Sequence, residues 1–177
     1  MKNYIITEGQ FDLKLLSQII PNQFIINTKF FSAGGYSSAL SLAKSLLEKS
    51  ETKKAKIFLI LDADTIDEIK YKEKTNFINQ YIGSASNFKL ILFKPEIETV
   101  LFESKNLISR VAKREISDLE LDFGKSNPRD VLRLIGIKDK DLLLQDLTPV
   151  DIDLILKHLC FVELINELSK SMAHNMV

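Results

Sequence analysis

The chain has 177 residues, enough for one well-cored domain or for a core domain with a small appendage. Lysine plus arginine equal aspartate plus glutamate at 24 each, so no overall field draws it to nucleic acid or membrane, and any polyanion contact must come from a local patch. No segment approaches the ~18 uncharged apolar residues of a membrane span and the first residues do not read as a signal peptide, so the expectation is a cytoplasmic protein with no membrane partner.

Tyr4-Ile5-Ile6-Thr7 reads as a buried strand, followed by a helix in which Phe11, Leu15, Leu16 and Ile19 recur until Pro21 stops the pattern. Between them, Thr7-Glu8-Gly9-Gln10 fits a capping box, which would make Glu8 a first-turn acid favoured by the helix dipole. Alternatively, Gly9 permits a tight turn and close approach of a ligand, and Asp12, one helical turn on, faces the same point as Glu8. A second strand is expected around Phe24-Ile25-Ile26, continuing toward Phe30-Phe31 and running into Ser32-Ala33-Gly34-Gly35. The next helix carries Tyr36, Ala39, Leu40, Ala43, Leu46 and Leu47 on one face. Gly34 and Gly35 are either an ordinary loop or, with the helix amino terminus, a phosphate cradle of backbone N–H groups.

A charged connection from Glu48 to Lys56 enters a third strand, Ile57 to Leu61, that ends in Asp62-Ala63-Asp64. Period-two geometry points both aspartates to one side; the plainer alternative makes Asp64 or Thr65 an N-cap and Asp62 a solvated strand end. A charge-rich surface helix should run from about Thr65 to Tyr81 and end near Gly83. The fourth strand, Phe88 to Phe93, precedes Lys94-Pro95-Glu96-Ile97-Glu98, where Pro95 suits the first position of a helix and Glu96 and Glu98 are either dipole-stabilising or ligands.

Strand signals vanish from Ser104 on. Ser126-Asn127-Pro128 should open a short helix closed by Gly136, Thr148-Pro149 should open one bearing Val150, Leu154, Ile155 and Leu159, and Lys125-Ser126-Asn127 is the candidate hinge. Cys160, the one cysteine, excludes an internal disulfide and a cysteine zinc cage and reads as a buried small hydrophobe. His158 and His174 lack partners at ligand spacing, and Ser32, Ser37 and Ser38 have no histidine to activate them, so a hydrolytic triad has no support. The pattern predicts an α/β fold: a mostly parallel four-stranded sheet flanked by helices over residues 1–104, with a helical extension over 105–177 packed on it or on a partner. Acids following strands gather at the carboxyl edge of such a sheet, where ligands bind, and hard oxygen donors suit Mg²⁺ or Mn²⁺.

Thr7-Glu8-Gly9-Gln10-Phe11-Asp12, Ser32-Ala33-Gly34-Gly35 and Leu61-Asp62-Ala63-Asp64 together resemble the Toprim domain of topoisomerases, primases and OLD-family nucleases. Pro95-Glu96-Ile97-Glu98-Thr99-Val100-Leu101 and Asn127-Pro128-Arg129-Asp130-Val131-Leu132 are similar to small stand-alone OLD-type Toprim proteins, many linked to phage defence. The resemblance covers roughly residues 3–104, and the rest loosely. It implies a Mg²⁺- or Mn²⁺-dependent nuclease or related phosphotransfer enzyme acting on DNA or RNA, with Glu8, Asp62 and Asp64 as catalytic metal ligands. Asp12 would support that site, Glu96 and Glu98 would serve a second cation, and Lys94, Lys29 or Lys125 would add positive charge near the phosphate. The chain carries neither an OLD-type ATPase domain nor a tyrosine-bearing topoisomerase domain. The alternative is therefore a non-catalytic regulatory module working with a partner ATPase. A response-regulator-like domain with Asp62 as phosphoacceptor is disfavoured by Glu8-Gly9 and by the lack of a matching lysine after a fifth strand.

Overall fold

Apolar residues in continuous runs bury both faces of a sheet, and that is what the two central strands here do. The computed structural model describes residues 2–49 and 55–173; His174 and most of the charged connection before Lys56 lie outside them. Four parallel strands, β1 (Asn3–Thr7), β2 (Thr28–Ser32), β3 (Lys56–Asp62) and β4 (Phe88–Phe93), pair in the order β2-β1-β3-β4. Successive side chains go to opposite faces. Ile5, Phe58, Ile60, Ile91 and Phe93 join one core with α1 (Gln10–Ile19) and the carboxyl-terminal helices, while Ile6, Ile57, Leu59, Leu61 and Leu92 join another with α3 (Tyr36–Glu48) and α4 (Glu68–Ile82). No helix among the described residues is long and apolar enough to cross a membrane.

The chain leaves β1 toward β2 on one side and reaches β3 on the other, so the carboxyl ends of β1 and β3 flank the point where strand order reverses. Open α/β sheets form their ligand crevice at that point.

Three local expectations shift. Phe24 and Ile25 belong to a helical turn, α2 (Asn22–Ile25), closed by the Thr28 hydroxyl donating to the Phe24 carbonyl at 2.5 Å; the strand starts at Thr28, where Asn3 offers the first pairing partner. A short apolar run does not by itself distinguish helix from strand. α4 begins three residues past Thr65, because Asp67 accepts from the N–H groups of Ile69 and Lys70 and is the N-cap. Pro95 does not open a helix: its carbonyl accepts from Asp64 N–H at 2.8 Å, prolonging the β3–β4 alignment, and the following 3₁₀ segment starts at Ile97.

That segment, Ile97–Glu103, is buried from Ile97 through Phe102 and is enclosed by the rest of the chain. Around it pack α5 (Lys105–Ala112), α6 (Asp118–Ser126), α7 (Pro128–Leu134) and α9 (Pro149–Ile155), with α8 (Asp141–Gln145) against α1 and α10 (Leu159–Ala173) against β4. Asn127 ends α6 and starts α7 with its N–H on the Phe123 carbonyl, and the Thr99 hydroxyl donates to the Lys125 carbonyl, so the candidate hinge is tied down on both sides. Cys160 is half-buried, donates to the Leu92 carbonyl, and burial with the nearby Glu163 charge pushes its thiol up to about 12. His158 stacks on Phe93 with ring centres 5.8 Å apart, and burial lowers its pKa.

A methyl group on Gly124 would overlap the Phe102 ring, so α6 reaches the 3₁₀ segment only through a glycine. Gly124→Ala should cost about 1–3 kcal/mol in urea unfolding, because the Phe102 ring or α6 must shift to admit the added carbon.

Asp151 is nearly fully buried at the start of α9. Burial opposes its charge, but hydrogen bonds from the Ser104 hydroxyl, the Thr148 hydroxyl and N–H, and Arg110 outweigh that and hold its pKa down at about 2. A depressed folded-state pKa gives stability that is present above the ordinary value of about 3.8 and lost as pH falls toward 2. Asp151→Asn should cost about 1–3 kcal/mol at neutral pH and flatten the acid limb of a stability-versus-pH curve over that window.

Candidate metal centre

Glu8 follows β1 and Asp62 ends β3, and the two strands are hydrogen-bonded neighbours, so the side chains meet at the reversal point. Asp62 N–H donates to Glu8 Oε1 at 3.1 Å. Glu8 is therefore not the acid that caps α1. That part belongs to Asp12, whose Oδ2 accepts from Gly9 N–H at 2.9 Å.

The 3₁₀ segment brings the other acids. Ile97 N–H donates to Asp62 Oδ1 at 2.8 Å, which locks the start of that segment onto the end of β3 and sets Glu96 and Glu98 on either side of the bond. Asp62, Glu96 and Glu98 each offer an oxygen within 4.8 Å of the other two, a grouping that can hold a metal ion. Glu98 is 1% exposed, and its Oε2 is buried with no hydrogen-bond partner among the described residues. An orphaned carboxylate oxygen beside two further carboxylates fits a cation, because leaving it bare costs about 1–3 kcal/mol or more for a charged group.

Two cations from the carboxyl-terminal part share this space. Arg129, the second residue of α7, contacts Glu96 Oε2 through Nε and approaches Asp62 Oδ2 through Nη2 at 3.4 Å, while its backbone N–H donates to Glu96 Oε1 at 3.2 Å. Lys140 pairs with Glu98 Oε1 and lies 4.5 Å over the Phe11 ring. Glu8, Asp12, Asp62, Glu98, Arg129 and Lys140 line one cleft of about 540 Å³.

The acids outnumber the cations, and the carboxyl pKa values follow. Burial, reinforced by Glu98, Asp12 and Glu8 and opposed by the Ile97 N–H, pushes Asp62 up to about 8. Burial also raises Glu8, Asp12 and Glu96: the Asp64 and Asp12 charges add to it at Glu8, and Glu98 adds at Asp12 and Glu96, against partial relief from backbone N–H groups, Lys74, Lys140 and Arg129.

The remaining expected site residues lie elsewhere or act differently. Asp64 has φ 56°, which breaks the period-two relation to Asp62. Its carboxylate bonds Lys74 at 2.7 Å and lines a neighbouring cleft of about 280 Å³ with Glu96, Arg129 and Asp130, so Arg129 stands between the two clefts. Gly34 and Gly35, at φ 79° and 138°, line the main cleft, but both N–H groups donate to the Glu8 carbonyl at 2.9 Å. They fix the Glu8 backbone and have no donor left for a phosphate. Lys94 pairs with Glu68 and lies over Tyr71 on the α4 side, Lys29 is exposed on β2, and Lys125 Nζ sits 3.5 Å from Glu103. The cations beside the acids are Arg129 and Lys140. Arg129 falls within the Asn127–Leu132 motif, which assigns it no role, and nothing in the local sequence marks Lys140; the path of the chain after Ser126 brings both back to the sheet edge.

No protein-family model, curated protein sequence or solved structure matches the chain.

A carboxyl whose folded-state pKa is raised destabilises the fold once pH exceeds its unfolded value: for Asp62 the penalty grows from about pH 4 to about pH 8 and is constant above. Asp62→Asn should remove that slope, so the metal-free variant should melt at the same or a higher temperature than the native chain at pH 8, with the gap closing toward pH 4. A variant that is less stable at both pH values would show Asp62 to be held as a satisfied anion.

Proposed function

We propose that the chain is a Mg²⁺- or Mn²⁺-dependent nuclease acting on DNA or RNA, of the small OLD-type Toprim kind that its motifs resemble. The observation that carries this reading is the Asp62, Glu96 and Glu98 cluster with its unpartnered, buried Glu98 oxygen. All-oxygen donors favour a hard divalent ion. Such an ion, when bound, polarises a phosphate and lowers the pKa of a water nucleophile. Asp62, Glu96 and Glu98 would hold it, with Glu8 on the adjoining strand end to orient water or complete the coordination; Asp64, turned toward Lys74, has a smaller part here than the motif alone implies. Among the described residues no serine–histidine pair competes for the role of nucleophile. The resemblance extends to phage-defence proteins, which makes foreign nucleic acid the proposed target.

A non-catalytic module attached to a partner ATPase is the second reading. The formal net charge of zero favours it, since a free-standing nuclease gains affinity from a basic face.

Mn²⁺ added at about 100 times its Kd should stabilise the native chain by about 2.7 kcal/mol, seen as a raised melting temperature, and Asp62→Asn should lose most of that rise. Single- and double-stranded DNA and RNA incubated with the native chain and Mg²⁺ or Mn²⁺ should be cut, and Asp62→Asn should abolish cutting. An Asp62-dependent metal response with no cleavage of any substrate would select the regulatory module; equal metal responses would remove the site.

A further inference from the structure

The way each carboxylate is held separates its two oxygens. Asp62 Oδ1 accepts from Ile97 N–H, Glu96 Oε1 from Arg129 N–H and Glu8 Oε1 from Asp62 N–H, all backbone donors that cannot leave without unfolding the segment. Their partners across the cluster are side-chain cations or nothing. Asp62 Oδ2 and Glu96 Oε2 face the Arg129 guanidinium, Glu98 Oε1 faces Lys140, and Glu98 Oε2 faces no donor among the described residues. The Asp62, Glu96 and Glu98 side chains are 2–12% exposed, whereas that of Arg129 is 57% exposed. Arg129 is thus the member of the cluster that can depart while the carboxylates stay in place.

It has somewhere to go. Arg129 and Lys140 also line a groove of about 240 Å³ with Arg133, one turn along α7, and Lys138, with no acidic residue among its lining. Arg133 and Lys138 are exposed and neither is paired with an acid among the described residues. In a chain of zero net charge this is a local basic patch, and it adjoins the acid cluster through the two residues they share.

We propose that Arg129 and a divalent cation compete for the same oxygens of Asp62 and Glu96, and that cation binding hands Arg129 to the basic groove, where with Arg133 and Lys138 it binds a backbone phosphate of the substrate strand. The inference rests on the metal-dependent nuclease reading and adds to it a coupling: the phosphate-binding surface is complete only when the metal is bound. Before metal arrives, the arginine tempers repulsion among the acids; afterwards the same charge serves the ligand. Planar, bidentate recognition of phosphate is what a freed guanidinium does well. Linkage makes the coupling reciprocal, so a strand bound in the groove also tightens the metal.

Opposite signs make this testable with the full chain. Mn²⁺ titrated calorimetrically in phosphate-free buffer should bind Arg129→Gln about tenfold or more tightly than the native chain, because the metal-competent state is no longer held back by an occupant. Arg133→Gln removes an equal charge that touches no acid, and its Mn²⁺ affinity should stay within about twofold, since exposed charges are screened. In Mn²⁺, a short fluorescent phosphorothioate oligonucleotide that resists cleavage should bind both variants about tenfold more weakly than the native chain, a loss of about 1.4 kcal/mol. Unchanged or weaker Mn²⁺ binding by Arg129→Gln overturns the exchange, and so does an equal gain by Arg133→Gln, which would mean a general field. Undiminished oligonucleotide binding by both variants overturns the groove. If the native chain itself binds no Mn²⁺, or binds it as well after Asp62→Asn, the nuclease reading falls and this inference with it; Asp62-dependent binding with no gain in Arg129→Gln removes the exchange alone.

Discussion

Gathering carboxylates in a half-dry cleft raises their energy through desolvation and mutual repulsion, and the end of the sheet is arranged around that cost. Glu8, Asp62 and Glu96 each receive one backbone N–H, and each of those N–H groups comes from a different element: the end of β3, the start of the 3₁₀ segment and the start of α7. Asp62 links two of these bonds, since its backbone N–H donates to Glu8 and its carboxylate accepts from Ile97. A shift of any one element would strand a buried anion, so the repulsion that destabilises the cluster also specifies how β1, β3, the 3₁₀ segment and α7 sit together.

The sheet supplies the rigidity this arrangement needs. β1 and β3 are buried on both faces and pair along their whole common length, which leaves Glu8 and Asp62 little freedom in backbone position. On the far side of Glu8, Gly34 and Gly35 take up its carbonyl in a conformation that side chains rarely adopt. Glycine there serves to anchor an acid from behind, a use that sequence alone does not separate from a phosphate cradle, because both call for the same residue in the same turn.

What could be read in advance follows from how local each signal is. β1, β3 and β4 are largely apolar runs with clear stops, and the helix starts at Asn127-Pro128 and Thr148-Pro149 are marked by a first-turn proline, with a capping box at Thr148, so all were legible. The all-parallel four-stranded sheet follows from the alternation of elements. β2 was misplaced because Phe24-Ile25-Ile26 suits a buried helical turn as well as a strand, and Pro95 misled because its carbonyl serves the sheet edge. In the site, Glu8, Asp62, Glu96 and Glu98 each announce themselves as acids just beyond a strand. Two facts could not be seen. Asp64 enters the left-handed region and turns to Lys74, and Arg129 and Lys140 arrive from far along the chain; the motif that contains Arg129 does not say which acids it faces, and Lys140 has no motif at all.

Those two cations bear on how the molecule is divided. Drawn by element type, a boundary falls after residue 104, with a sheet domain before it and helices after. Drawn by energy, it does not fall there. Ile5 and Phe58 from the sheet share one apolar cluster with Leu132, Ile155, Phe161 and Leu168, so separating the parts would expose a core, at roughly 1.5–3 kcal/mol for each large side chain. The charges divide the same way: the acids of the cleft come from the first part, and the arginine and lysine that face them come from the second. Zero net charge over the whole chain therefore conceals a local opposition of sign across one cleft, set up by the packing of the helical part on the sheet. The carboxyl-terminal helices complete the site electrostatically as they complete the core, and the two roles are inseparable because α7 performs both, burying Val131 and Leu132 below while presenting Arg129 above.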